Sequence, residues 1–80
     1  MFTLTPKGRY AVKNPPANSV LAHRALLAVA YCGPNAMRQA VIAAMQHGPA
    51  LPPLTGPAPT RQQCSTALTQ VKYYGRIAAA

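Results

Sequence analysis

The chain has 80 residues, with eight lysines and arginines, no aspartate or glutamate, and a formal net charge of +8. Without side-chain carboxylates it can form no internal acid–base ion pairs, and it has no acidic group for general acid–base catalysis or metal binding. The charge favours a polyanionic partner, which is nucleic acid, an acidic protein surface or an anionic membrane. At this length we expect one small domain with a marginal core.

Enzymatic and metal-binding functions are disfavoured by the spacing of the remaining reactive residues. Cys32 and Cys64, like His23 and His47, are too far apart to form the close ligand pairs of a zinc site. There is no glycine-rich phosphate loop or nucleophile elbow. We therefore expect no enzyme activity, no cofactor and no metal. The chain also has no signal peptide and no bilayer-length apolar run, which predicts a cytoplasmic protein without a membrane partner.

Residues 2–13, FTLTPKGRYAVK, predict a β-hairpin. Phe2 and Leu4 alternate with threonines, and Tyr10 and Val12 alternate with more polar neighbours. The Pro-Lys-Gly sequence at 6–8 supplies turn residues, with Gly8 free to take a positive φ. The cations of this hairpin are Lys7, Arg9 and Lys13. They either face solvent or contact the DNA backbone, as the wing of a winged helix does.

The phrase LTPKGRYAV, from Leu4 to Val12, resembles the opening of the Rrf2/IscR family of winged-helix regulators. This resemblance implies a DNA-binding protein. The chain departs from the family directly afterwards. The family continues into a helix, whereas Asn14-Pro15-Pro16 follows here, and the family's cluster-ligating cysteines have no counterpart.

Two apolar segments predict helices at 19–31 and 35–47. The first is apolar nearly all round, interrupted by His23 and Arg24, so we expect it to be the central buried helix. Gly33 suits the position just past its end. Asn35 is the expected cap of the second helix. The following segment, 48–59, is rich in proline and predicts an extended loop.

A third helix is predicted at 60–74. Its apolar stripe is Cys64, Ala67, Leu68 and Val71, at spacings i, i+3, i+4 and i+7. Gly75 is expected to end the helix, and a short strand to begin near Ile77.

The outer face of the third helix carries hydrogen-bonding side chains and no carboxylate, a composition that suits the DNA major groove. It also suits an ordinary solvated helix. The candidates for reading base edges are Gln62, Gln63, Thr66, Thr69, Gln70 and Tyr73. The candidates for phosphate contacts are Arg61, Lys72 and Arg76, together with Lys7, Arg9 and Lys13 of the hairpin.

Residues 65–77 resemble the third helix and following turn of the winged helix-turn-helix superfamily. The predicted fold is α+β, with a three-helix helix-turn-helix core, an N-terminal β-hairpin and a short C-terminal strand. In that superfamily a turn of about 3–4 residues precedes the third helix. Here the proline-rich loop replaces it, and too few residues follow Gly75 for a C-terminal wing. We expect the N-terminal hairpin to substitute, with Ile77 adding a third strand.

The resemblance implies a DNA-binding protein that regulates transcription and reads duplex DNA with its third helix. The chain is small and basic, and its size and compactness suit a protein of phage or mobile-element type. A domain this small contacts few base pairs, so we expect a homodimer. Two alternatives remain open. The first is a basic effector that docks on and inhibits an acidic host protein such as a polymerase or nuclease. The second is a structural subunit of a ribonucleoprotein or other assembly.

Overall fold

The computed structural model of the chain describes residues 1–15, 20–48, 51–54 and 56–79. Within them the elements are, in order, β1 (Phe2–Leu4), α1 (Pro6–Lys13), α2 (Val20–Cys32), α3 (Arg38–His47), α4 (Arg61–Tyr73) and β2 (Ile77–Ala79). The predicted α+β class is confirmed. Position 19, where the first predicted helix was expected to begin, and positions 49, 50 and 55 of the proline-rich loop lie outside the described residues.

The core is built around α2, which packs against α1, α3, α4 and β1. This agrees with the prediction of a central buried helix. The largest fully buried side chains come from α2, α3, α4 and β2, and they are Leu26, Val29, Val41, Met45, Cys64, Leu68, Val71 and Ile77. The apolar stripe predicted for the third helix is confirmed, since all of its members are buried.

The predicted N-terminal hairpin is wrong, because Pro6–Lys13 forms helix α1. Thr5 is its N-cap, and the Thr5 hydroxyl accepts the Gly8 N–H at 3.1 Å. Pro6 then occupies the first helical position, where a missing N–H and a fixed φ favour a helix. The residues taken as a turn are therefore a helix start, and the alternation of Tyr10 and Val12 is coincidental.

The first strand pairs with the end of the chain instead. β1 and β2 are antiparallel, with Phe2 opposite Ala79 and Leu4 opposite Ile77. Ile77 thus joins an N-terminal strand as expected, although the sheet lacks the second strand of the predicted hairpin. On its other side Phe2 donates its N–H to the Ala36 carbonyl at 2.7 Å.

The contact between Phe2 and Ala36 also corrects the start of the second predicted helix. Ala36 lies in an isolated β-bridge with Phe2, so its backbone is extended. Helix α3 consequently begins at Arg38, with Met37 as an N-cap that forms no side-chain capping bond. The cap expected at Asn35 is therefore wrong.

Helix α4 has well-defined signals at both ends. Thr60 and Gln63 form a capping box at its start. At its end Gly75 takes a positive φ of 74°, and the N–H of Arg76 reaches the Val71 carbonyl at 2.9 Å. The Gly75 N–H also donates to the Lys72 carbonyl. Together these two hydrogen bonds form a Schellman motif. The predicted stop at Gly75 is confirmed.

Hydrogen bonds and close backbone packing connect α1 to the turn after α4. Thr5 donates its N–H to the Arg76 carbonyl at 3.1 Å and its hydroxyl to the Gly75 carbonyl. Gly8 is buried against the same turn, and a Cβ there would lie 1.9 Å from the Arg76 carbonyl oxygen. Gly8 is therefore required for close backbone approach and not for a positive φ.

Arg24 is a cation buried in the core, with 7% of its surface exposed, and no local pattern predicted its burial. Its Nε donates to the Met45 carbonyl and its Nη1 to the Pro52 carbonyl, both at 2.5 Å. In a helix the Met45 carbonyl would accept from position 49, but that residue is a proline without an N–H. Arg24 thus supplies the missing donor and joins α2, α3 and the proline-rich loop.

Replacing Gly8 by alanine should strongly destabilise the fold, because the new Cβ overlaps a backbone oxygen that cannot rotate away. We expect Gly8→Ala to lower Tm by at least about 8 °C in thermal unfolding followed by circular dichroism. The matched control is Gly56→Ala, since a Cβ at Gly56 meets no atom within 4 Å. Equal Tm values for the two variants would contradict the close packing of α1.

Replacing Arg24 by leucine should leave two carbonyls without their charged donor. We expect Arg24→Leu to reduce the free energy of unfolding by about 2–3 kcal/mol in urea titrations. Arg24→Lys, which keeps the charge but not the fork of two donors, should recover only part of this loss. Arg38→Leu, at an exposed arginine, should cost about 0.5 kcal/mol or less. If Arg24→Leu had the same free energy of unfolding as the parent, the cost of desolvating the guanidinium would equal the stabilisation from its hydrogen bonds.

Candidate nucleic-acid interface

The outer face of α4 is exposed along its length. Gln62, Thr66, Thr69 and Gln70 are all exposed, and Tyr73 has 83% of its surface open to solvent. The buried stripe orients these residues, because it fixes the opposite face of α4 against α2 and α3. The side chains expected to meet base edges therefore do lie together on one free surface.

Two of the predicted base-reading residues have internal hydrogen bonds. The amide oxygen of Gln63 accepts the Thr60 N–H at 2.9 Å as part of the capping box. The Thr69 hydroxyl donates to the Ser65 carbonyl at 3.0 Å. We call the remaining set, Gln62, Thr66, Gln70 and Tyr73, the reading face.

A shallow cavity of about 450 Å³ runs beside the reading face, between α4 and the start of α2. Gln62, Thr66 and Gln70 form its polar wall, and Val20 and Leu21 form part of its apolar wall. Val20 is 83% exposed. The polar groups of α4 are therefore accessible from this cavity as well as from the outer face of the helix.

The other side of α4 is cationic. Arg61 and Lys72 are exposed there, and Arg38 joins them from α3 by donating to the Ser65 hydroxyl. We call Arg38, Arg61 and Lys72 the cationic flank. Sequence reasoning missed Arg38 because the pairing of α3 with α4 is tertiary.

The remaining predicted phosphate contacts divide into two groups. Lys7 and Arg76 line a groove of about 580 Å³ between α1 and the end of α4, together with Tyr10, Asn14 and Tyr74. We call this the tyrosine groove. The second group is Arg9 and Lys13, which are exposed one helical turn apart on α1. The guanidinium of Arg9 donates to the Leu4 carbonyl at 3.4 Å, so part of its capacity is used locally.

The described residues offer little reactive chemistry. No group of three or more histidine, cysteine or acidic side chains among them could hold a metal ion. Burial raises the pKa of the Cys32 thiol. Burial also raises the pKa of Cys64, against the opposing effect of the nearby Arg24 cation. Both thiols are thereby kept protonated and weakly nucleophilic.

None of the described helices has both the length and the apolar character needed to cross a lipid bilayer.

Comparison with known proteins returned no match: no protein-family model, curated protein or solved structure resembles this chain significantly. The resemblance to winged-helix regulators therefore stays a prediction.

The unbalanced charge should make the fold sensitive to ionic strength. At about 0.01 M salt the screening length is roughly 30 Å, which equals the longest dimension of the 30 × 26 × 21 Å molecule. At about 0.15 M it falls to roughly 8 Å. Because the cations have no acidic partners, we expect Tm to rise between these conditions. Lys72→Gln, which removes one exposed charge, should reduce the rise. A Tm that fell with added salt would contradict this picture.

Proposed function

We propose that this protein binds duplex DNA and regulates transcription, with the reading face of α4 in the major groove. The observation that supports the proposal best is the exposed face of α4, which carries amide, hydroxyl and phenol groups, is bordered by cations and has no carboxylate. A face of this kind can donate to and accept from base edges, while nothing on it repels phosphate.

The geometry of α4 suits this role. A helix enters the major groove when its outer residues are free along several turns, and here Gln62, Thr66 and Gln70 recur at intervals of four residues. Glutamine can bond adenine through two atoms, and threonine can contact a thymine methyl group. The cavity beside these residues leaves their amides room to adjust.

Phosphate contacts would come from the cationic flank, which continues the reading face onto α3. Arg38 is held by its bond to the Ser65 hydroxyl, so one guanidinium is already placed beside α4. Lys72 lies at the opposite end of α4 from Arg61. The flank therefore spans the helix and would follow a DNA strand along the groove. A homodimer would double the number of base pairs read and stays a prediction.

The test is binding of labelled duplex DNA, selected from a random library, at several salt concentrations by fluorescence anisotropy. Gln62→Ala and Gln70→Ala should cost about 1–3 kcal/mol on the selected site and much less on random DNA, because they remove base contacts. Lys72→Ala should weaken both alike and reduce the slope of log K against log salt by about 0.9.

Gln39→Ala is the matched control, since Gln39 is an exposed glutamine on α3 outside the reading face. It should leave both affinities unchanged. If the alanine variants of Gln62, Thr66 and Gln70 behaved like Gln39→Ala on every duplex, α4 would not be a reading helix.

A second candidate is docking on an acidic protein, and the exposed aromatic pair at the end of α4 favours it. Tyr73 and Tyr74 are 83% and 60% exposed, and their rings meet edge to face with centroids 5.4 Å apart. Such aromatics often dominate protein interfaces. In that case Tyr73→Ala should abolish capture of the acidic partner, while Gln62→Ala should have little effect.

A further inference from the structure

We propose that the tyrosine groove is a second nucleic-acid site, which binds an unpaired nucleotide of a single strand. The groove of about 580 Å³ combines aromatic rings, cations and an amide in one place. Aromatic rings stack on bases, and cations meet the phosphates that connect them.

The aromatic walls are open. Tyr10 is 69% and Tyr74 is 60% exposed. The guanidinium carbon of Arg76 lies 5.5 Å from the centre of the Tyr74 ring, which places a cation on an aromatic surface. Both a tyrosine ring and a guanidinium plane can stack on a base. Both tyrosine rings are thus largely exposed, and the Tyr74 ring is in addition held between Arg76 and the ring of Tyr73.

The polar groups of the groove match the rest of a nucleotide. Lys7 lies one turn before Tyr10 on α1, so a positive charge sits close to the ring. The amide nitrogen of Asn14 donates to the Tyr10 carbonyl at 3.1 Å, which leaves the amide oxygen as an acceptor for an amino group of a base. The apolar part of the wall comes from Pro6 and Ala11.

Hydrogen bonds hold the backbone on both sides of the groove. The Schellman motif fixes the backbone around Tyr74 and Arg76, and the Thr5 bonds fix α1 against the same turn. This limits the backbone entropy that is lost when a ligand binds. An ordinary exposed pair of tyrosines would lack this constraint.

An unpaired nucleotide is favoured over both a duplex and an acidic peptide. In a duplex the base faces are covered by their neighbours, so the tyrosine rings could contact only the backbone. An acidic peptide would form ion pairs with Lys7 and Arg76, but its carboxylates would not stack on the rings of Tyr10 and Tyr74. A single strand offers phosphate charge and free base faces together.

This site does not require α4 to read a duplex, because the tyrosine groove shares no residue with the reading face. The two proposals can fail separately. A protein with both surfaces would contact duplex DNA through α4 and an adjoining unpaired segment through the groove.

The experiment measures the affinity of the intact protein for a labelled single strand of about 12 nucleotides, a length within the usual range of single-strand sites. A blunt duplex is measured in parallel by fluorescence anisotropy. Tyr10→Ala should weaken the single strand about tenfold through lost stacking. It should change duplex affinity by less than about twofold, because the duplex does not use the ring. Circular dichroism should show that the variant remains folded.

Two controls separate stacking from other effects. Tyr10→Phe keeps the ring and should bind the single strand like the parent. Tyr31→Ala removes a tyrosine that is 55% exposed and lies outside the groove, and it should also bind like the parent. Lys7→Gln should weaken the single strand and reduce its salt slope by about 0.7.

Three results would overturn the proposal. The first is failure of the parent protein to bind the single strand. The second is equal loss of affinity in Tyr10→Ala and Tyr31→Ala. The third is binding of a glutamate-rich peptide of equal charge as tightly as the strand, with the same loss in Tyr10→Ala, which would make the groove a site for an acidic protein. Loss of duplex discrimination in Gln62→Ala, with single-strand binding intact, would leave this proposal standing.

Discussion

The structure depends on the hydrogen bonds that Arg24 donates to two main-chain carbonyls, because these bonds connect α2 with α3 and with the proline-rich loop. A buried guanidinium usually requires a carboxylate, and this sequence has none. The carbonyl of Met45 replaces it, near the negative end of the α3 dipole. One side chain of α2 thereby contacts both the end of α3 and the proline-rich loop at Pro52. The loop in turn leads to the capped start of α4.

Neutral groups also take the place of carboxylates as arginine partners on the surface. Arg9 uses a carbonyl, Arg38 a hydroxyl and Arg76 an aromatic ring. These partners orient the guanidinium groups without neutralising them, so the positive charge remains available to an outside anion. The absence of acid is therefore compatible with an ordered surface, in which arginines are positioned by neutral groups. In the cationic flank and in the tyrosine groove, an arginine ordered in this way lies on the same surface as at least one further cation.

The sequence was sufficient where the signals were local and insufficient where partners were distant. The stripe of α4 and the stop at Gly75 follow from helical spacing and from glycine's freedom at positive φ, and both were predicted. The hairpin was wrong because Thr5 and Pro6 carry turn and helix-start signals alike, and the deciding partner of β1 lies at the far end of the chain. The occupied amide of Gln63 was missed because a base-reading glutamine and a capping glutamine look the same in sequence. The groove was missed for the same reason as β1, since no periodicity places Tyr10 beside Tyr74.

The pairing of β1 with β2 has a consequence for the order of folding. Helices α2, α3 and α4 pack on one another by closing shorter loops of chain, whereas β1 and β2 meet only after nearly the whole chain has been closed into a loop. Loop closure over this separation costs more entropy and slows the step. The three helices can therefore associate first, and the strands then fasten α1 onto the turn at Gly75. A partly opened state would keep the reading face while losing the groove, so the two surfaces differ in how much of the folded chain each one needs.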